Sequence, residues 1–168
     1  FLLRYKKKKY INNIGISLAR DYYFNKKIMN SFDFIQDEIN LLRPQAITKL
    51  KNFKPKIMAR SPLASGCLSE KLTISSKFSK NDYRKSWLGK KTRLKNVLFQ
   101  IEEIKKITGK NLRSFSKIFL IKEKNINKVI FGIKNPSHIN EIEKDLNNLT
   151  IISQKQKNLI LNLAKKKI

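Results

Sequence analysis

Lys56-Ile57-Met58-Ala59-Arg60-Ser61-Pro62-Leu63-Ala64-Ser65-Gly66 sets a short apolar run directly against a loop of small residues. The run is too brief for a helix and is bounded by Pro, Ser and Gly, so it reads as a strand over 56–60 followed by a turn. Upstream, the same pattern recurs at 33–39 and at 11–17, the latter centred on Ile14-Gly15-Ile16. Helical stretches lie between these strands at 22–30 and 44–53, the second opened by Pro44, which suits the first turn of a helix. Downstream, 69–92 is polar and irregular. Leu94, Val97, Leu98, Ile101 and Ile104 then recur at the helical period, and Gly109 closes that helix as a C′ residue. A second helix over 112–121, a fourth strand over 128–131 ending at Gly132, a helix from Pro136 to Leu146 and a Ser153-capped helix over 154–165 complete the order.

Four short, apolar, β-branched strands alternating with helices predict a parallel sheet joined by right-handed crossovers, with helices packed outside. No strand is followed by Gly-x-Gly-x-x-Gly, and no Gly-x-x-x-x-Gly-Lys-Ser/Thr loop occurs, which counts against dinucleotide-binding doubly wound folds and phosphate-loop proteins. The remaining common architecture is the (β/α)8 TIM barrel. Four βα units are half of one, and function in such barrels sits where the strands end.

The 168 residues include 38 Lys and Arg against 12 Asp and Glu, a net charge of +26. Lys and Arg neutralise phosphates, so this balance raises the question of nucleic acid. The excess is almost wholly lysine, 31 Lys to 7 Arg, whereas dedicated nucleic-acid surfaces favour the planar, bidentate Arg. Ile and Asn are inflated as well, the pattern of a biased codon pool. No specific nucleic-acid partner is expected; salt-dependent, sequence-blind binding to polyanions is. The lysine runs at 6–9 and 165–167 flank predicted elements and read as solvated. Cys67 is the single cysteine, which excludes an intrachain disulfide and suits a reducing compartment. No apolar run reaches membrane-spanning length. The chain begins at Phe1 rather than Met, which implies processing or a coding frame that continues upstream.

The strand exits carry the candidate chemistry. Ser17 ends the first strand, as a turn serine or a ligand contact. Gln36, inside an apolar strand, needs a hydrogen-bond partner when buried, either a ligand amide or a neighbouring side chain. Asp37 and Glu38 follow it and face opposite ways, so they form no acid–base pair. Arg60 and the small residues of 61–66 could hold a phosphate on backbone N–H groups, or simply turn. Gly132, then Ile133-Lys134-Asn135-Pro136, precede a helix N-terminus, where an anion or a plain cap would fit. His138, the only histidine, lies in the first turn of that helix as a surface residue or a ligand neighbour. No His/Cys/Asp cluster has metal-ligand spacing, and no catalytic centre emerges.

Taken in order, these exits resemble the second half of an aldo-keto reductase. Ile14-Gly15-Ile16-Ser17 resembles the family's fifth-strand ending, Ile-Gly-Val-Ser. Phe34-Ile35-Gln36 with Asn40-Leu41-Leu42 resembles the sixth strand and its Tyr-Asn-Leu-Leu. Arg60-Ser61-Pro62-Leu63-Ala64-Ser65-Gly66 is similar to the seventh-strand signature, and Phe78 with Asp82-Tyr83-Arg84 to the Phe…Asp-x-Arg that follows. Val129-Ile130-Phe131-Gly132, Pro136 and Glu141 resemble the eighth strand and its helix. The resemblance covers residues 11–149.

The family reduces aldehydes and ketones with NAD(P)H. The resemblance therefore implies that 1–168 is strands five to eight of a single oxidoreductase domain whose N-terminal half is missing. It also implies a cytoplasmic setting, a small carbonyl substrate and NADP or NAD as cofactor. Ser17 and Gln36 would hold the nicotinamide amide, and Arg60 would lie where the ring packs. Ser61, Leu63 and Ser65 would line the pyrophosphate; Gly132, Lys134, Asn135, His138 and Glu141 would face the adenosine end. Leu18 stands where the family usually has Asn, Ile39 where it has an aromatic, Ile142 where it has Asn, and His138 where many NADP-preferring members have Arg. NADP and NAD thus stay as alternatives. The family's catalytic Tyr, Asp, Lys and His lie on the first four strands, and none has a counterpart here, so the chain alone is expected to be inactive. The competing reading is a basic half-barrel scaffold, RNA-associated and without catalysis.

Overall fold

A computed structural model describes residues 1–19, 22–109, 111–147 and 151–164. Four strands, β1 (Gly15–Ser17), β2 (Phe34–Glu38), β3 (Lys56–Arg60) and β4 (Lys128–Ile130), form one sheet in the order β1-β2-β3-β4. Every pairing is parallel. The helices are α1 (Leu2–Lys7), α2 (Lys26–Met29), α3 (Gln45–Leu50), α4 (Arg84–Leu88), α5 (Lys91–Thr108), α6 (Leu112–Ile121), α7 (Ser137–Asn147) and α8 (Gln154–Leu163), with a 3-10 turn over Ala64–Ser69.

Register sorts the strand residues onto two faces. Ser17 aligns with Gln36, Gln36 with Met58, and Met58 with Lys128. Side chains alternate along a strand, so Ile16, Ile35, Asp37, Ile57, Ala59 and Val129 share the opposite face. That face carries the core: Ile35, Ile57 and Ala59 are buried against Met29, Leu50, Leu68, Leu112 and Phe119. The other face carries Ser17, Phe34, Gln36, Glu38, Lys56, Met58, Arg60, Lys128 and Ile130, none of them buried. In a closed barrel this second face is the inside. Here it is open, and β1 and β4 are the edges of the sheet. An apolar groove of about 240 Å³, lined by Ile121, Ile126, Val129, Phe131 and Leu146, lies against β4.

Several elements differ from the sequence reading. β1 is three residues long rather than seven, because β2, its partner among the described residues, begins at Phe34. The stretch expected to be helical from 22 is irregular until Asn25 caps α2, its side chain accepting from the Ile28 N–H at 3.0 Å. Within it, the Tyr23 hydroxyl reaches Asp37. Gly109 does end α5, with φ +75 and ψ −152. Two short helices, α1 and α4, fall in stretches that the periodicity left irregular. Ser153 caps α8 in a full capping box with Gln156. The expected end of that helix at 165 and the lysine run at 165–167 lie outside the described residues. The run at 6–9 is not simply solvated: Lys6 pairs with Asp33, whose carboxylate also accepts from the Ile14 N–H at 2.7 Å. These contacts, Lys6 foremost, hold the Asp33 carboxyl below the usual carboxylate range.

Asp37 is the one ionisable strand residue on the core face, fully buried, and Arg43 is 4% exposed. Asp37 Oδ1 accepts from Arg43 Nη1 at 2.8 Å and from the Glu38 N–H at 2.7 Å; its Oδ2 accepts from the Tyr23 hydroxyl at 2.9 Å. Arg43 Nη1 also donates to the Glu38 carbonyl at 2.7 Å. Removing one partner of a buried pair strands the other charge, at a cost of roughly 3–5 kcal/mol, whereas replacing both by apolar groups is far milder. Arg43→Met should therefore lower the urea midpoint sharply, and Asp37→Leu/Arg43→Met should recover most of the loss. Equal midpoints for the single and double variants would refute this role.

Candidate functional site

All four strands point their C-terminal ends the same way, so their exits meet on one rim. Ser17 Oγ donates to Gln36 Oε1 at 2.7 Å. The amide N–H groups of Gln36, on the open face of the sheet, are left without a partner among the described residues. Arg60 on β3 sends Nη2 to the carbonyl of Leu18, beyond the end of β1, at 3.1 Å. The guanidinium thus crosses the end of β2, and Ser17, Gln36 and Arg60 form one polar group of side chains. Leu18 cannot play the polar part its position suggests. Its side chain is buried, and its N–H donates to the Gln36 carbonyl at 2.9 Å.

The loop after β3 has an unusual backbone. Ser61 (φ +57), Ala64 (φ +47), Ser65 (φ +59) and Gly66 (φ +88) are all left-handed, three of them without the freedom of glycine. Each such non-glycine residue costs on the order of 1–3 kcal/mol and persists only where its surroundings dictate it. Asn40 supplies part of that constraint. It is fully buried; its Nδ2 donates to the Ser61 carbonyl at 3.1 Å, and its Oδ1 accepts from the Leu42 N–H at 3.1 Å. The Ser61 carbonyl also accepts from the Ala64 N–H at 2.9 Å, and the Leu63 carbonyl takes the N–H groups of Gly66 and Leu68 at 2.9 and 3.1 Å. Ala64, Cys67 and Leu68 anchor the turn in the core.

A second brace comes from the polar segment. Arg84 grips Asp82 with two parallel bonds, Nε to Oδ1 at 3.0 Å and Nη2 to Oδ2 at 2.7 Å. Its guanidinium lies over the Phe78 ring, 5.2 Å from the centroid. Arg84 Nη1 is also close to Gly66: a Cβ there would sit 3.6 Å away. Arg84 holds the Asp82 carboxyl at about 2, with a smaller contribution from the positive charge of Lys134. Lys134 belongs to the β4 exit, so the two loops share this neighbourhood.

Beyond β4, the Lys134 N–H donates to His138 Nδ1 at 3.3 Å, and Ser137 Oγ donates to Asn135 Oδ1. Gly132 has no heavy atom within 4 Å of where a Cβ would be, and its φ is not positive. Neither packing nor backbone demands glycine there. Glu141, one turn further along α7, pairs with Arg113 of α6. Lys117, 2% exposed, pairs with Asp145, which also accepts from Ser114 Oγ. These contacts clasp α7 to α6 and fix the β4 exit against the sheet.

The structure gathers Ser17, Gln36 and Arg60, sets Ser61, Leu63 and Ser65 in one strained turn, and joins Lys134, Asn135 and His138 in another. Glu141 stands apart, held by Arg113. Asn40, Asp82 with Arg84, and Arg113 are the supporting residues that the sequence did not single out as site residues. Among the described residues no group of His, Cys, Asp and Glu could hold a metal ion, and no helix is long and apolar enough to cross a membrane.

No family model matches the sequence, and no curated protein does. Solved structures match over nearly the whole chain. A glycerol dehydrogenase from Gluconobacter oxydans superposes with a TM-score of 0.71 at 16% identity, covering 96% of this chain and 51% of its own. The holo form of an aldo-keto reductase from Bacillus halodurans gives 0.67 at 16% identity, covering 99% of this chain and 55% of its own. The chain therefore spans about half the length of the solved structures it resembles. Its fold is α/β, that of half an aldo-keto reductase barrel, as the order of strand exits implied.

The pair Asp82–Arg84 gives a pH signature. The Asp82 pKa falls from 3.8 to about 2 on folding, so its stabilising contribution is full above the unfolded value and is lost as pH drops through the folded one. The melting temperature of the wild type should exceed that of Asp82→Asn at pH 5, with the gap closing as pH falls through that window. A gap independent of pH would rule out the ion pair as its source.

Proposed function

We propose that the chain is the cofactor-binding half of an NAD(P)H-dependent carbonyl reductase of the aldo-keto reductase type, with NADP or NAD as cofactor and a small aldehyde or ketone as substrate. The observation that carries this reading is the Ser17–Gln36 bond. With Ser17 donating to Oε1, the NH2 of the Gln36 amide is the side that would meet a ligand, the complement of a carboxamide carbonyl such as that of nicotinamide. Arg60 beside it would line the ring.

The two loops suit the rest of a dinucleotide. Ser61, Leu63 and Ser65 lie in a turn already strained into shape, so little conformational freedom is lost when a pyrophosphate binds. Gly132 leaves open space where a Cβ could have been, which favours close approach of a ligand to the backbone. Lys134, Asn135 and His138 offer a cation and polar groups for the adenosine end, and Glu141 is held in place by Arg113. Bound there, a nicotinamide supplies hydride to a carbonyl carbon. The residues of this chain bind and orient it, and the proton donor belongs to the other half of the barrel, outside residues 1–168. A non-catalytic scaffold would have no use for a strained turn beside an amide whose N–H groups meet no partner among the described residues.

NADPH and NADH titrated into the chain, followed by nicotinamide fluorescence, test this. We expect saturable binding by at least one of them, weakened about three- to tenfold by Gln36→Ala, the loss of roughly one hydrogen bond. We expect no carbonyl reduction by the chain alone. Absence of binding into the millimolar range would overturn the cofactor site, and steady turnover lost in Gln36→Ala would overturn the placement of the proton donor elsewhere.

A further inference from the structure

The end of the sheet opposite the candidate site is a distinct surface. Four segments lead into the strands there: 8–14, 30–33, 51–55 and 122–127. Hydrogen bonds join them side by side. Asp33 Oδ2 accepts from the Ile14 N–H at 2.7 Å, Asn30 Oδ1 from the Lys54 N–H at 2.9 Å, and Asn127 Oδ1 from the Ile57 N–H at 2.8 Å. The Lys56 N–H donates to the Asp33 carbonyl at 2.9 Å. The relative positions of these segments are therefore fixed by the fold.

Lys8 and Lys9 are exposed on the first segment, Lys51 and Lys54 on the third, Lys122 and Lys124 on the fourth. Lys56 and Lys128 open β3 and β4, and both ammonium groups lie near the Phe34 ring, 5.9 and 5.8 Å from its centroid. The carboxylates in these segments are Asp33 and Glu123, and each pairs with a lysine outside this set, Lys6 and Lys157. Helix dipoles favour lysine in a last turn, which accounts for Lys51 and Lys122 at the ends of α3 and α6. Lys54, Lys56, Lys124 and Lys128 lie beyond any helix end, and the dipole gives no reason for them. At the other end of the sheet, the turn at 61–69 holds no lysine and Arg43 is buried, and the β3 and β4 exits contribute one cation each, Arg60 and Lys134.

We infer that the N-terminal end of the sheet binds the phosphate backbone of nucleic acid, without reading its sequence. Lysines on flexible stems are point charges suited to phosphates that recur every few ångströms along a strand, and their release of counterions makes such binding steeply salt-dependent. Of the large exposed apolar side chains, only Tyr10 lies in these segments, whereas a face that lies on a bilayer presents several for insertion. The inference does not depend on the cofactor reading, since the two surfaces sit at opposite ends of the strands.

The test is fluorescence anisotropy of the whole chain with a labelled oligouridine of about 20 nucleotides, longer than a typical single-strand site. Lys51→Glu/Lys54→Glu/Lys122→Glu/Lys124→Glu is compared with Lys77→Glu/Lys80→Glu/Lys90→Glu/Lys91→Glu, exposed lysines of the stretch that follows the β3 exit, which makes the same change in net charge away from this end. The first set should weaken binding at least about tenfold near 0.1 M salt and flatten the salt dependence by about 0.7 for each phosphate no longer neutralised. The second should change it by less than about twofold. Equal weakening by both sets would show that net charge alone binds RNA, and unchanged binding by the first would show that this end is not involved; either overturns the inference. Tighter binding to phosphatidylserine vesicles than to the oligonucleotide, abolished by the first set, would assign the surface to a membrane and overturn it too. Circular dichroism of each variant checks the fold. The corresponding Lys→Gln sets, gentler on folding, must give the same ranking.

Discussion

The structure depends on four parallel strands held in sequential register, with side chains alternating between a helix-covered face and an open one. Register places Ile35, Ile57 and Ala59 under the helices and Ser17, Gln36 and Arg60 on the open face together. A slip of one residue in any strand would exchange the two sets. Core and site are therefore specified by the same hydrogen bonds. The buried Asp37–Arg43–Tyr23 group braces the sheet from the core side, Tyr23 tying the segment after β1 to β2.

The rim is built from rigid parts that carry loops under constraint. Three non-glycine residues adopt left-handed backbone after β3, and Asn40, Arg84 and the buried Cys67 and Leu68 hold them there from three sides. The turn after β4 is fixed by His138 and by the clasp of α7 on α6. A ligand meeting these turns finds their polar groups already in place. The opposite end of the sheet is rigid too, but by simpler means: asparagine and aspartate side chains bridge adjacent segments and leave the lysines facing solvent.

Much of this was legible in the sequence. β3 and α6 fall at their expected bounds, because each concentrates apolar residues at a single period between clear breakers. The capping box of α8 could be anticipated from Ser153. α1 was not legible because it buries no residue, and α4 because Leu88 is its only buried one; neither leaves a periodic trace. The failure of the helical reading at 22 follows from a tertiary contact, Tyr23 to Asp37, that local pattern cannot reveal. At the site, the sequence marked Gln36 as needing a partner but could not choose between a neighbour and a ligand. The structure shows that its oxygen takes the neighbour Ser17. Asn40 was invisible as a brace, since a single Asn at the end of an apolar strand gives no sign of which carbonyl it will meet.

The central claim is that the C-terminal rim of this sheet is one site for a nicotinamide dinucleotide. Amide hydrogen exchange, resolved along the chain and measured with and without NADPH and NADH, tests it most directly. The account predicts slowed exchange at 61–66 and at 132–138 together, with the segments at 51–55 and 122–127 unchanged. Exchange unaffected by either nucleotide, or protection confined to the N-terminal end of the strands, would contradict it.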